Sequence, residues 1–142
     1  MKLEILSFTG NLFKSDDVVS VTAMTKVGEV TILDNHTPLV SVLKPSTISV
    51  IYNDAGERKE KDFAIGGGVL EVSNSQVKLL IDMLVSIDEL DVDKAEKARL
   101  DALAMIEKYK NSQDKVDMEK FIEAEDMLLR SIAQLKLYNL KK

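Results

Sequence analysis

The 142-residue chain has no cysteine and a single histidine, and beyond Gly68 it contains neither glycine nor proline. Without cysteine, disulfides, thiolate zinc sites, iron–sulfur clusters and a cysteine nucleophile are excluded. One histidine, His36, removes any multi-histidine metal site. Long apolar runs are missing too. The longest, around Val77 to Val85, is broken by Lys78 and Asp82, which predicts no membrane span. The opening Met1-Lys2-Leu3-Glu4-Ile5-Leu6 lacks a long apolar stretch and a small-residue cleavage site, so no signal peptide is expected. Charge of one sign is not concentrated anywhere. The net −5 divides into 8 basic and 11 acidic side chains over residues 1–86, and 11 and 13 over residues 87–142. Acids mixed among bases throughout speak against a nucleic-acid footprint.

What is present suits a globular protein: 45% apolar and 30% charged residues, at a length that fits one ordinary domain or two small ones. All six glycines and both prolines lie within the first 68 residues. Losing both backbone punctuators halfway along predicts a change of architecture. The expected division is a β unit over 1–86 and a helical unit over 87–142.

The first unit reads as sheet. Leu3 to Phe8, Val18 to Thr22, Val30 to Leu33, Leu39 to Leu43 and Thr47 to Tyr52 are short β-branched runs, several alternating with period two. Asn53-Asp54-Ala55-Gly56 is a hairpin turn, since its residues tolerate positive φ. Glu57 to Asp62 reads as a solvated edge strand leading into Phe63-Ala64-Ile65. Val69 to Val72 and Val77 to Ile81 form a further pair around Ser73-Asn74-Ser75. Strands at roughly ten-residue spacing, with no helix between them, predict an antiparallel sandwich or flattened barrel.

From Val92 the apolar period lengthens to three and four: Val92, Ala95, Ala98, Ala102, Ile106 and Tyr109 share one helical face. Asp93-Lys94-Ala95-Glu96 reads as a capping box, with Asp93 accepting the Glu96 N–H. Lys110 to Lys115 is the expected turn. A second helix follows from about Asp117 to Leu140, with the stripe Phe121, Ala124, Leu128, Ile132 and Leu135 and with Met118 and Tyr138 at its ends. Lys136, Lys141 and Lys142 enrich its C-terminus in positive charge. The short link predicts an antiparallel hairpin that is marginal alone and must lean on the sandwich or on a partner.

Motifs that carry chemistry are few. Gly66-Gly67-Gly68 is followed by a strand and lacks Gly-Lys-Ser/Thr, so it reads as a tight turn or close strand crossing and not as a phosphate loop. Asn35-His36-Thr37 matches a glycosylation acceptor, but Pro38 follows it. His36 reads as a structural or contact residue, with hydrolysis through His36 and Asp34 or a nearby serine as the weaker alternative. The acidic run Asp88 to Asp93 lacks the glycine and distal glutamate of an EF-hand and reads as the charged start of a helix. None of these constellations makes an active site.

Two stretches together are distinctive. One is Gly28-Glu29-Val30-Thr31-Ile32-Leu33-Asp34-Asn35-His36-Thr37-Pro38-Leu39, running on to Lys44-Pro45. The other is Gly66-Gly67-Gly68-Val69-Leu70-Glu71-Val72, followed by Asn74 and Val77 to Asp82. They resemble the epsilon subunits of rotary F-type ATP synthases, and the resemblance covers essentially the whole chain. It implies β + α architecture: an N-terminal antiparallel β-sandwich of about ten strands followed by a C-terminal antiparallel two-helix hairpin.

It also implies a function, that of a non-catalytic central-stalk subunit at the cytoplasmic face of the bacterial plasma membrane, attached only through its complex. The implied partners are the gamma subunit, the c-ring, and the alpha and beta subunits of the catalytic head, with no nucleic acid. Glu29, Leu33, His36, Pro38 and Leu39 are implied to face the c-ring and gamma. The hairpin is implied to restrain ATP hydrolysis. No cofactor is required, but some bacterial members bind regulatory ATP through Ile/Leu-Asp-x-x-Arg-Ala at the first helix.

The matching stretch here is Leu90-Asp91-Val92-Asp93-Lys94-Ala95, with lysine for arginine, which keeps the charge but loses the planar fork. The family's second-helix Arg-Ala-Glu is Glu123-Ala124-Glu125, a later arginine position is Gln134, and the glycine after Lys-Pro is Ser46. Asp91, Lys94 and Arg130 remain as the residues to hold ATP. A free-standing nucleotide sensor, its hairpin closing on ATP, is the alternative function.

Overall fold

A computed structural model describes residues 1–7 and 9–140. Ten strands precede two helices: β1 (Lys2–Ser7), β2 (Gly10–Ser15), β3 (Val18–Thr25), β4 (Gly28–Leu33), β5 (Leu39–Leu43), β6 (Ser46–Asp54), β7 (Glu57–Ile65), β8 (Gly68–Ser73), β9 (Gln76–Ile81) and β10 (Leu84–Ser86). A single 3₁₀ turn, Ile87–Glu89, leads into α1 (Val92–Tyr109) and α2 (Lys115–Leu140). The strands form one hydrogen-bonded sheet in the order β10-β7-β6-β3-β5-β8-β9-β1-β2, with β4 also on β3, folded over a shared core. The expected sandwich followed by a helical hairpin is what the chain forms.

Period-two patterning makes that core. Val18, Val21, Ile48, Val50, Leu70, Val72, Val77, Leu79 and Ile81 are all buried. The expected turn at Asn53 to Gly56 joins β6 to β7, with Ala55 (φ 52°) and Gly56 (φ 83°) in the left-handed region. Glu57 to Lys61 are exposed, and β10 covers only Phe63 to Ile65 of β7, so that half is a solvated edge.

Three expectations need correction in the sheet. Strand β2 does not show in the sequence pattern, because Gly10 and Asn11 at its start read as a turn and it is a mostly exposed edge strand paired only with β1. Its Phe13 nevertheless packs edge-on against Tyr52 (5.6 Å) and Phe63 (5.5 Å). Strand β10 is too short, at three residues, to show a period. The sheet is also not wholly antiparallel, since β1 runs parallel to β9, from Lys2 opposite Gln76 to Leu6 opposite Leu80. Phe8, expected to close the first strand, and Lys141 and Lys142 lie outside the described residues.

The hairpin starts differently from its expected caps. Asp91, not Asp93, is the N-cap of α1: extended at φ −106°, it accepts the Lys94 N–H at 3.0 Å, while Asp93 lies within the first turn. Asp114 accepts the Val116 N–H (2.8 Å), so α2 begins at Lys115, two residues early. Ala95 and Ala102 of α1 and Ala124 of α2 are buried, as the stripes predict. Ile132, however, is 44% exposed, whereas Ala133 and Leu137 are buried with Ala64, and Val85 and Ile87 pack half-buried against them. Helix α2 therefore has a second inward face, and it packs on β6 and β7.

Candidate functional site

The residues expected to face partners lie along β4 and the link to β5. Ile32 is buried, while its neighbours Thr31 and Leu33 point outward, and Leu33 is 55% exposed. Glu29 shares that outer face near the opposite end of β4, four residues or about 13 Å from Leu33. The structure leaves Leu33 and Pro38 exposed and His36 half-buried along the link, packs Leu39 against the core opposite Val72, and leaves Glu29 apart.

The link is shaped by Asn35 in the left-handed region (φ 64°) and by the His36 N–H donating to the Leu33 carbonyl at 3.2 Å. The His36 ring bonds through Nδ1 to the Thr37 carbonyl at 2.7 Å. Asp34 instead lies 2.9 Å from the Met1 amino group. The His36–Asp34 hydrolase alternative therefore has no acid–base pair behind it. Among the described residues, no group of three or more histidine, aspartate or glutamate side chains is placed to hold a metal.

A second surface escapes the sequence reading. Across β5, β8, β9 and β1 the register places Val42 opposite Val69, Val69 opposite Leu80, and Leu80 opposite Leu6. Leu6 is half-buried, and Val42, Val69 and Leu80 are exposed, so this row is an apolar ladder on the outer face. In the next row, Val40 is followed by Glu71, Lys78 and Glu4. A shallow hollow of 260 Å³ lies over Leu6, Val69, Glu71, Lys78 and Leu80. The sequence does carry a signal for it: Val42-Leu43, Val69-Leu70 and Leu79-Leu80 are apolar at both phases of the strand period. A strand with both phases apolar is suited to burial on both faces.

Of the three residues expected to hold ATP, the structure brings two together. Asp91 and Lys94 line a 380 Å³ groove with Val85, Glu89, Ala95, Ala98 and Gln134. Two of its residues are carboxylates and one is a base. Arg130 is not in that lining. Its Nη1 and Nη2 donate to the two Asp82 oxygens at 2.9 and 2.5 Å, and its Nε donates to Asp126 at 2.6 Å. The Asp82 bond holds the guanidinium above its ordinary pKa, against partial desolvation and with help from Asp126. In this arrangement its fork is satisfied by carboxylates.

Residues 1–87 match the family model described as the ATP synthase delta/epsilon chain, beta-sandwich domain. An ATP synthase epsilon chain of Chloroflexus aggregans is 38% identical over 121 residues, covering 85% of this chain and 84% of that one. One from Neisseria meningitidis serogroup C is 35% identical over 136 residues, covering 96% and 91%. Among solved structures, a chain in the Euglena gracilis mitochondrial ATP synthase, determined as OSCP/F1/c-ring, superposes with a TM-score of 0.74 at 25% identity, covering 92% of this chain and 76% of that one. A chain of the Tetrahymena thermophila central stalk and c-ring shares the fold at a TM-score of 0.62 and 14% identity, covering 96% and 94%. With its sandwich matched throughout and these relatives aligned over most of both chains, the protein belongs to the ATP synthase epsilon-chain family.

Proposed function

We propose that this chain is a non-catalytic subunit of the central stalk of a bacterial ATP synthase, acting by contact and not by chemistry. Its sandwich, residues 1–86, grips the gamma subunit. The link carrying Leu33, His36, Pro38 and Leu39, with Glu29 on the same strand face, is turned toward the c-ring. The helical unit, residues 87–142, is an arm that restrains hydrolysis by reaching the alpha and beta subunits. No helix among the described residues is long and apolar enough to cross a membrane. Attachment to the cytoplasmic face of the plasma membrane therefore runs through the complex.

The observation that carries the reading is the ladder Val42, Val69, Leu80 and Leu6. An apolar row on the outer face of the sheet, with Glu71, Lys78 and Glu4 in the adjacent row, suits a helical stalk laid across it. The test is affinity capture from native membranes with the full-length tagged chain. Co-recovery of gamma and the c-ring is expected, and recovery of neither overturns the reading. The inhibitory arm is tested separately, by comparing ATP hydrolysis in complexes carrying the full chain and a chain ended after Ile87. Equal rates would remove that role alone.

A second reading, nucleotide sensing, is favoured by the meeting of Asp91 and Lys94 in one groove. It lacks the arginine, which is engaged elsewhere. Titration with ATP to millimolar concentration, followed through hairpin amide shifts, decides it. Absence of shifts removes the sensor.

A further inference from the structure

We propose that Gly66, Asp82 and Arg130 form a latch that holds the helical hairpin against the sandwich, closed by protein groups alone and without nucleotide. The pair joins residues 48 apart in sequence, one in the link between β9 and β10 and the other in the middle of α2. Both guanidinium Nη atoms meet both carboxylate oxygens, a bidentate geometry that fixes the orientation of α2 as well as its distance. Asp126, one turn earlier on α2, holds Nε and presents the fork already oriented.

Gly66 explains how the fork reaches its partner. It is buried, and its φ is outside the left-handed region, so conformational freedom is not what requires glycine there. A Cβ on Gly66 would overlap Asp82 Oδ1 and stand 2.7 Å from Arg130 Nη1. The latch occupies the space a side chain would fill. The Gly66 N–H donates to the Met83 carbonyl at 3.1 Å, tying the β7–β8 link to the residue after Asp82. The adjacent Gly67 has no such duty: its Cβ would meet only the Leu43 carbonyl at 3.6 Å and Pro45 at 3.9 Å, ordinary contacts.

The rest of the seat is small. Beside the latch, α2 offers Ala133 and Leu137 to Ala64, Val85 and Ile87, and Gln134 Nε2 lies 3.8 Å from Met83 Sδ. That seat has three fully buried side chains, Ala64, Ala133 and Leu137, with Val85 and Ile87 partly buried beside them, and the ion pair at its edge adds orientation that apolar contact does not supply. The same arginine becomes available to an acidic group elsewhere only when the arm lifts.

The absence of cysteine allows a direct test on the full-length chain. Spin labels on Glu60→Cys of β7 and Gln113→Cys at the hairpin tip report the distance distribution between sandwich and arm. Asp82→Asn is expected to raise the released population about tenfold. Gly66→Ala should do the same, and Gly67→Ala should match the parent. Arg130→Gln added to Asp82→Asn should change nothing further, since the pair acts as a unit. A distribution unmoved by Asp82→Asn overturns the latch, as does an equal response to Gly66→Ala and Gly67→Ala. Closure in the parent only after ATP is added also overturns it. These distances are read on the isolated chain, so their outcome is independent of the stalk assignment.

Discussion

Leu80 on β9 and Val69 on β8 stand opposite each other on the outer face of the sheet, 49% and 39% exposed. Their chain neighbours Leu79 and Leu70 form the opposing pair on the inner face and are fully buried. At this row the two strands are therefore apolar on both sides, whereas one row along, at Glu71 and Lys78, the outer face is charged as a sheet facing water would be. The inner pair is accounted for by the core, and the outer pair belongs to the row proposed above as the stalk contact.

That division predicts opposite consequences for adjacent residues. Leu79→Ala opens a cavity and should cost about 2–5 kcal/mol in urea unfolding. Leu80→Asp removes no core contact and should change stability by about 0.5 kcal/mol or less, yet abolish recovery of gamma in membrane capture. Retained capture by a folded Leu80→Asp chain would show that the ladder is not the stalk contact.

The start of α1 makes a second prediction. Because the Asp91 side chain accepts the Lys94 N–H, Asp91→Ala should cost the hairpin about 1 kcal/mol. Asp93→Ala, which loses only a favourable charge in the first turn, should cost about 0.3–1 kcal/mol at low salt and less when screened. Amide exchange in the first turn of α1 distinguishes the two. Faster exchange in Asp93→Ala than in Asp91→Ala would return the cap to Asp93.

Much of this is legible from period and punctuation. Ile48 and Val50 in β6 declare their face by alternation, while Ala95, Ala102 and Ile106 declare a helix by their spacing. What stays hidden has physical causes. Gly10 and Asn11 disguise β2 because an exposed edge strand is not obliged to alternate. The parallel pairing of β1 with β9 joins segments about 74 residues apart, which no local pattern encodes. Ala133 does not announce the second inward face of α2, being too small to stand out beside Ile132. Among the site residues, Asp91 and Lys94 are three apart in the motif and line one groove in the fold. Arg130 reads as their companion, and its actual partner, Asp82, is visible only in three dimensions.

The glycine run separates into distinct duties, and two of its members make a third prediction. A Cβ on Gly68 would strike the Leu80 carbonyl and come within 2.9 Å of Ile81 Cγ2, both on the paired strand β9. Backbone cannot swing aside as a side chain does, so Gly68→Ala should cost about 1–3 kcal/mol or more in urea unfolding. Gly67→Ala should fall within about 0.5 kcal/mol of the parent. Equal midpoints for the two would mean that the strand crossing tolerates a methyl group and that the run is only a turn.

Leu137 gives the sharpest separation between arm and sandwich. It is fully buried, yet its cluster is distinct from the main core, and among the described residues its buried companions there are Ala64 and Ala133. Leu137→Ala should therefore weaken the hold of α2 by about 2–5 kcal/mol, the usual loss for a buried leucine. The sandwich core, built from Leu3 to Ile81, would be left intact. Local opening is expected to appear as amide exchange that quickens in α1 and α2 while β3, β6 and β8 keep parent protection. Uniform acceleration across strands and helices would instead make the chain a single cooperative unit, and an arm that lifts while the sandwich stays folded could not be built from it.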